Sequence, residues 1–299
     1  MVDICLLSQL FVSLLLSLLQ PVTNIQKNDS EPILRSSISY SLHEPHAVIE
    51  LPRSLNEISG LSVIDSTRVA AIQDEKGIIY VLDALTGAVL NEVRFAGNGD
   101  YEGIERAGDV LFVLRSDGDL FALEVNKLES KKRQKARRIR TRLSARYDTE
   151  GLAYDQHSNR LLIACKEYAG KGLAKKRSIY AFDLASEKVS DKPAYVISTE
   201  QIKRAMPDTK VSFAGFKPSA LALHPETGHL FLLSSKDRLL LELDTSGRII
   251  GTGIFPRSVA RQPEGIAITP GGDLLIASEA AGKRALLLRF KPLNHVQSH

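Results

Sequence analysis

Three glutamates in this sequence open short phrases of one kind: Glu102-Gly103-Ile104-Glu105, Glu150-Gly151-Leu152-Ala153 and Glu264-Gly265-Ile266-Ala267. Ser59-Gly60-Leu61-Ser62 and Ser219-Ala220-Leu221-Ala222 repeat the pattern with serine in front. If repeats place equivalent positions together, Glu102, Glu150 and Glu264 face one another, joined by Ser59 and Ser219. Carboxylates gathered at low dielectric repel, and a hard cation relieves that repulsion. Several carboxylate oxygens with no His or Cys among them form a donor set for Ca²⁺ rather than Zn²⁺. Glu57 and Glu279 lie near the same phrases and make a second tier of candidate donors. Glu105 reads as solvated or salt-bridged. The competing expectation is that the three leading glutamates cap backbone N–H groups or pair with Lys or Arg where repeats meet.

Other chemistries find little support. There is no nucleophile elbow, no H-E-x-x-H and no Ser-His-Asp spacing. His157, His224 and His229 fall in turn-forming segments, and the glycine pairs at 97–99 and 271–272 lack the strand and helix of a phosphate-binding loop. The two cysteines, Cys5 and Cys165, give no metal spacing, and Cys165 reads as a small buried residue on a strand.

The elements that would position the glutamates are strands. The five phrases begin 43, 48, 69 and 45 residues apart. Each is followed by a turn, an apolar run such as Leu161-Leu162-Ile163-Ala164, another turn, and an alternating run such as Leu239-Leu240-Leu241-Glu242-Leu243. Four short strands in about 45 residues is the period of a β-propeller blade. The chain therefore reads as all-β, a five-bladed propeller, with Gly60, Gly103, Gly151, Ala220 and Gly265 small because innermost strands crowd at the axis. The last blade runs out of chain after three strands, while residues 37–51 read as a strand without a blade. That N-terminal strand is expected to pair beside residues 285–290 and close the ring. A sixth blade within residues 177–217 is the alternative. The same long interval carries one short helical segment at 199–205 and could form a rim or lid.

With these phrases in view, the chain resembles the SdiA-regulated family over about residues 38–291. The likeness rests on their order: Ser-Gly-Leu, Glu-x-Ile-Glu, Glu-Gly-Leu-Ala-Tyr, a Ser-led phrase, then Glu-Gly-Ile-Ala followed by Ile276-Ala277-Ser278-Glu279. Ala220 stands where the family tends to have glycine. The resemblance implies a five-bladed propeller with an export segment, calcium binding and a biochemical role that is undetermined.

Residues 4–19 are sixteen uncharged, mostly apolar residues, short for a membrane crossing and suited to a signal peptide. The expected organisation is a signal peptide or uncleaved anchor at 1–23, a linker at 24–37, the propeller at 38–292 and a tail at 293–299. The protein would be exported, to the periplasm or cell envelope or anchored in the membrane. Of 39 Lys and Arg against 35 Asp and Glu, ten basic residues and one acidic one lie within 127–146. The rest of the chain is acidic, so the basicity is one stripe. Residues 131–146 fall where the second blade places its outermost strand, with Arg138, Arg140 and Arg142 on one side and Ile139, Thr141 and Leu143 on the other. Arg137, Arg138, Arg140 and Arg142 either protect a sheet edge by like charge or contact an anionic envelope surface. No aromatic residues interleave them, and export would separate the protein from nucleic acid, so none is expected as a partner. The functional expectation is a calcium-binding binding or scaffold module that takes an unidentified protein or small ligand at the propeller face. The alternative is a metal-dependent hydrolase of lactones, esters or phosphate esters.

Overall fold

Acidic residues at strand ends set the rhythm of the chain. Asp83 Oδ1 accepts the N–H groups of Leu85 and Thr86 at 3.1 and 2.7 Å, and Asp244 Oδ1 those of Ser246 and Arg248 at 2.9 and 3.0 Å. Each closes a tight turn from a third strand into a fourth, because a short carboxylate can satisfy backbone donors that the ladder has just released. Between such turns, runs rich in Leu, Ile, Val and Phe pair antiparallel.

The computed structural model describes residues 38–209, 212–213 and 215–293. The first 37 residues and residues 294–299 lie outside them, and with them the expected export segment, the linker, Cys5 and nearly all of the tail. The strand β1 (Ala47–Glu50) comes first. Blade one contains β2 (Ile58–Val63), β3 (Arg68–Gln73), β4 (Lys76–Asp83) and β5 (Val89–Asn98). Blade two contains β6 (Tyr101–Ala107), β7 (Val110–Arg115), β8 (Leu120–Glu124) and β9 (Arg137–Ile139). Blade three contains β10 (Thr149–Asp155), β11 (Arg160–Cys165) and β12 (Lys176–Asp183), edged by two pieces, β13 (Lys188–Val189) and β14 (Tyr195–Ser198). Blade four contains β15 (Ala220–Leu223), β16 (Leu230–Ser234), β17 (Leu239–Leu243) and β18 (Ile249–Ile254). Blade five contains β19 (Pro263–Ile268), β20 (Leu274–Ser278) and β21 (Leu286–Phe290), completed by β1.

The innermost strands close a ring: β2 touches β6, β6 touches β10, β10 touches β15, β15 touches β19, and β19 returns to β2. The fold is a five-bladed β-propeller. β1 pairs antiparallel with β21 through Ala47 opposite Arg289 to Glu50 opposite Leu286, as the unfinished last blade required. Leu51 N–H donates to Ala285 O at 2.8 Å, and Tyr40 bridges Pro292, which extends the clasp at both ends. The core is five wedges, one between each pair of neighbouring blades, rather than one central mass. Ile38, Tyr40 and Leu42 are buried in the wedge between blades four and five.

The long interval before blade four forms no further sheet among the described residues. It supplies β14 and the helix α1 (Thr199–Ala205), which packs beside β18. A capping box starts α1: Ser198 Oγ accepts from Gln201 N–H at 3.2 Å, and Gln201 Oε1 accepts from Ser198 N–H at 2.7 Å. Proline at 193, which has no N–H to give a ladder, lies in the break between β13 and β14.

Candidate functional site

In four of the five phrases the leading residue falls at a β-bulge; the exception is Ser219, which precedes the regular pairing of β15 with β16. Ile58 pairs with Gln73 and Gly60 with Ile72, leaving Ser59 unopposed. Tyr101 pairs with Arg115 and Gly103 with Leu114, leaving Glu102 unopposed. The register of β10 slips by one residue across Glu150 and Gly151, and that of β19 at Glu264. A bulge re-aims its extra side chain out of the pleat, here at one mouth of the axis. The glycine that follows lets neighbouring strands converge: a Cβ at Gly103 would lie 3.0 Å from Leu152 Cβ, and one at Gly151 2.9 Å from Leu221 N. The axial cavity lined by these residues has about 10 Å³, room for about one water. The axis is packed, and any ligand of this mouth sits on it rather than in it.

The two serines tie inner strands together. Ser59 Oγ donates to Tyr101 O at 2.7 Å, and Ser219 Oγ to Pro263 O at 3.4 Å. Each acceptor is the residue just before the glutamate of the next blade. The three glutamates are brought to the same mouth, and each has a partner there. Burial, then the nearby Glu150, pushes Glu102 up to about 10, and a hydrogen bond with Asp100 holds its proton. Glu150 accepts from Lys166 Nζ at 2.5 Å; burial pushes its carboxyl up to about 7 against the pull of that lysine. Glu264 is pushed up to about 7 by burial, and Ser235 and Gln262 hydrogen-bond it. Glu279 joins the cluster, raised to about 7 by burial and by Asp74 and Glu57, and Gln262 donates to it.

A calcium ion needs six to eight oxygens around one point. Among the described residues no group of three or more His, Cys, Asp or Glu side chains is gathered closely enough to hold a metal. Lys166 supplies a positive charge 2.5 Å from Glu150. In this arrangement the carboxylates do not fit a metal ion unless Lys166 moves away. Glu105 departs from expectation: it has no ion pair among the described residues, and it lies half-buried against Ser62 and the backbone N–H of Tyr154, its carboxyl pushed up to about 8 by burial.

Lys166 belongs to a set of basic residues that the phrases do not announce. Beside the axis, over blades three to five, a pocket of about 370 Å³ is lined by Glu150, Glu264, Ser219, Ser235 and Gln262 together with Lys166, Lys217, Lys236, Arg238, Arg257 and Arg261. Lys166 and Ser235 directly follow the second strands of their blades, as Asp74 and Glu279 do in theirs. That shared position is the one sequence signal that could have marked them.

The basic stripe occupies the outer edge of blade two. β9 pairs with β8 through Leu120 opposite Ile139 and Ala122 opposite Arg137. Ladder pairing ends at Ile139, where the hydroxyl of Thr141 turns to Gly118 O at 2.8 Å, yet burial still alternates, with Ile139 and Leu143 inside. Much of the stripe's charge is used locally. Arg137 pairs with Glu187, Arg138 with the buried Asp119, and Arg142 donates to the carbonyls of Val189 and Ser190. Arg140 is exposed. Cys165 is buried on β11, as expected, its thiol pushed up to about 12 by burial.

Two solved structures share this arrangement. Glutaminyl cyclase from Myxococcus xanthus aligns with a TM-score of 0.54 and 16% identity, over 83% of this chain and 95% of that one. The PQQ-bound form of aldose sugar dehydrogenase from Streptomyces coelicolor aligns with a TM-score of 0.50 and 13% identity, over 83% and 98%. At such identity the likeness concerns the fold alone. The SdiA-regulated family model matches residues 38–282.

Proposed function

The chain belongs to the SdiA-regulated family, and from that premise we propose a binding module rather than an enzyme: an exported propeller of the cell envelope that holds a small ligand beside its axial mouth. The observation that carries this reading is the 370 Å³ pocket, which sets charged side chains around the leading residues of three blades, Glu150, Ser219 and Glu264. Its volume lies within the usual range for small-molecule sites. Its hydroxyls are poorly placed for nucleophilic work. Ser219 Oγ donates to Pro263 O and accepts from Ser235 N–H at 3.1 Å. Among the described residues no histidine ring hydrogen-bonds a Ser or Cys side chain, the pairing that activates such nucleophiles; His229 instead meets Glu242. Export is supported by the uncharged run at residues 4–19. Calcium enters this reading only through displacement of Lys166 from Glu150.

A hydrolase is the second reading, and one observation favours it. Carboxyls raised to about 7, as at Glu150 and Glu264, suit proton transfer near neutral pH. A panel of lactones, carboxylic esters and phytate, assayed on purified protein with and without EDTA, separates the two. A binding module gives no turnover above the buffer rate. Chelator-sensitive turnover of any panel member would overturn it in favour of the hydrolase.

A further inference from the structure

The mouth is electrically divided. On the side of blades five, one and two, Asp74 lies near Glu57, Glu75 and Asp100, and Glu279 lies near Asp74 and Glu57, so acids gather there. On the side of blades three to five, six basic side chains surround two carboxylates in one pocket. Three of the six are engaged: Lys166 with Glu150, Lys217 with Glu167, and Arg238, whose Nε donates to Phe255 O at 3.1 Å. Lys236, Arg257 and Arg261 are exposed, and no carboxylate among the described residues pairs with them. Their placement is fixed by backbone. Val259 and Ala260 N–H both donate to Pro256 O, at 2.9 and 3.0 Å, so the chain makes a helical turn between blades four and five. Arg257 lies in that turn and Arg261 directly after it, and both side chains line the pocket. Lys236 approaches from the turn between β16 and β17, which the Arg238 N–H closes on Ser235 O at 3.1 Å.

Like charges held around one concavity raise its potential and concentrate counter-ions there. Two arginines add planar forks that take carboxylate or phosphate oxygens in pairs. We propose that this pocket binds a small polyanion, a molecule bearing two or more carboxylate or phosphate groups, held by Lys236, Arg257 and Arg261. The inference rests on the binding-module reading and names its ligand class. The concave shape and the acidic half of the mouth favour a compact anion, since a long polyanion would have to cross that acidic half.

The test is calorimetric titration and thermal melting of the full chain in about 0.1 M salt, with citrate and pyrophosphate as probes. At least one is expected to bind saturably at a single site and to raise Tm; which of them does so tells carboxylate from phosphate chemistry. The double substitution Arg257→Gln with Arg261→Gln is expected to weaken binding about tenfold or more, as the loss of charge-assisted bonds should. Both arginines are exposed, so the unliganded Tm should hold. Arg140→Gln, which removes an exposed cation on blade two, is expected to leave binding unchanged. The proposal is overturned if neither probe saturates, if Arg140→Gln costs as much as the double substitution, or if heparin binds while both small probes fail. None of these results touches the hydrolase panel, and turnover there would leave a bound polyanion standing as substrate or inhibitor. The two readings can therefore fail separately.

Discussion

The ammonium of Lys166 and the carboxylate of Glu150 form an ion pair whose acid is 5% exposed and whose base is 34% exposed. A carboxylate so enclosed is tolerated only with a partner, and removing one member of a buried pair costs about 3–5 kcal/mol because the other charge is stranded. Lys166→Met is therefore expected to lower stability at pH 8 by roughly 2–4 kcal/mol, allowing for the partial exposure of the lysine. It also removes the one positive charge beside Glu150. Millimolar Ca²⁺ should then raise the Tm of the variant clearly and that of the unchanged protein little, both followed by circular dichroism. A variant that melts at the same temperature with calcium and with EDTA would show that these glutamates are not cation donors at all. Glu102, Glu150 and Glu264 were legible in the sequence because they share a phrase. Lys166 was not, since its meaning comes from a strand end that the fold carries to the same mouth.

Bulges and one borrowed strand do most of the positioning. Without the bulges, Glu102 and Glu264 would sit in register on a pleat, facing the next blade's backbone. A slip of one residue in β6 and in β19 turns them to the mouth, and nothing in the local spelling of the phrases reveals it. The borrowed strand was legible, because three strands at one end and an orphan at the other can be reconciled in few ways. Its removal has a clear consequence. A chain starting at Pro52 lacks β1, exposes the edge of β21 and empties the sites of Ile38, Tyr40, Leu42 and Leu51, all nearly or wholly buried. Large buried side chains are each worth about 2–5 kcal/mol, so the joint loss of four, about 8–20 kcal/mol, matches the 5–15 kcal/mol that usually holds a domain together. Such a chain is expected to aggregate or to melt without a cooperative transition. One starting at Ser30 should melt cooperatively, and equal melting curves for the two would show that the clasp does not hold the ring.

Over the whole molecule, buried and half-buried acids give the propeller a characteristic response to pH. Glu150, Glu264 and Glu279 are raised to about 7 and Glu105 to about 8, from an ordinary value of 4.5. Between those values the folded chain holds more protons than the unfolded one, so stability is full below about pH 4.5 for these groups and declines as pH rises through 7 and 8. On the acid side the sign reverses. Burial opposes ionisation of Asp65, but hydrogen bonds from Thr67 and Arg68 win and hold it at about 2, so its contribution is lost as pH falls below about 4. Tm should therefore peak near pH 5 and fall toward pH 8. Glu105→Gln, which keeps the shape and drops the charge, should flatten that fall by on the order of 1–2 kcal/mol at pH 8. A Tm that is constant or rising from pH 5 to pH 8 would contradict the placement of these carboxyls.

The sequence by itself determined the ring. Phrases about 45 residues apart, turns with Asp and Gly, and runs of alternating apolar residues leave few ways to bury so much apolar surface in short strands, and small residues after each leading position mark the inside. These are local signals, written where they act. The number of blades was nearly fixed as well, although the stretch at 177–217 could be read as a sixth until its described strands β12, β13 and β14 were seen to belong to blade three. What only the tertiary structure decided is which charges meet. Glu105 is enclosed because Ser62 and Tyr154 come from two other blades, and Asp119 is neutralised because β9 folds back beside β8. Likewise, Lys236, Arg257 and Arg261 form a pocket with Glu150 and Glu264 although more than a hundred residues separate the ends of that set. Electrostatic energy depends on distance and on exclusion from water, and neither is a property of spacing along the chain.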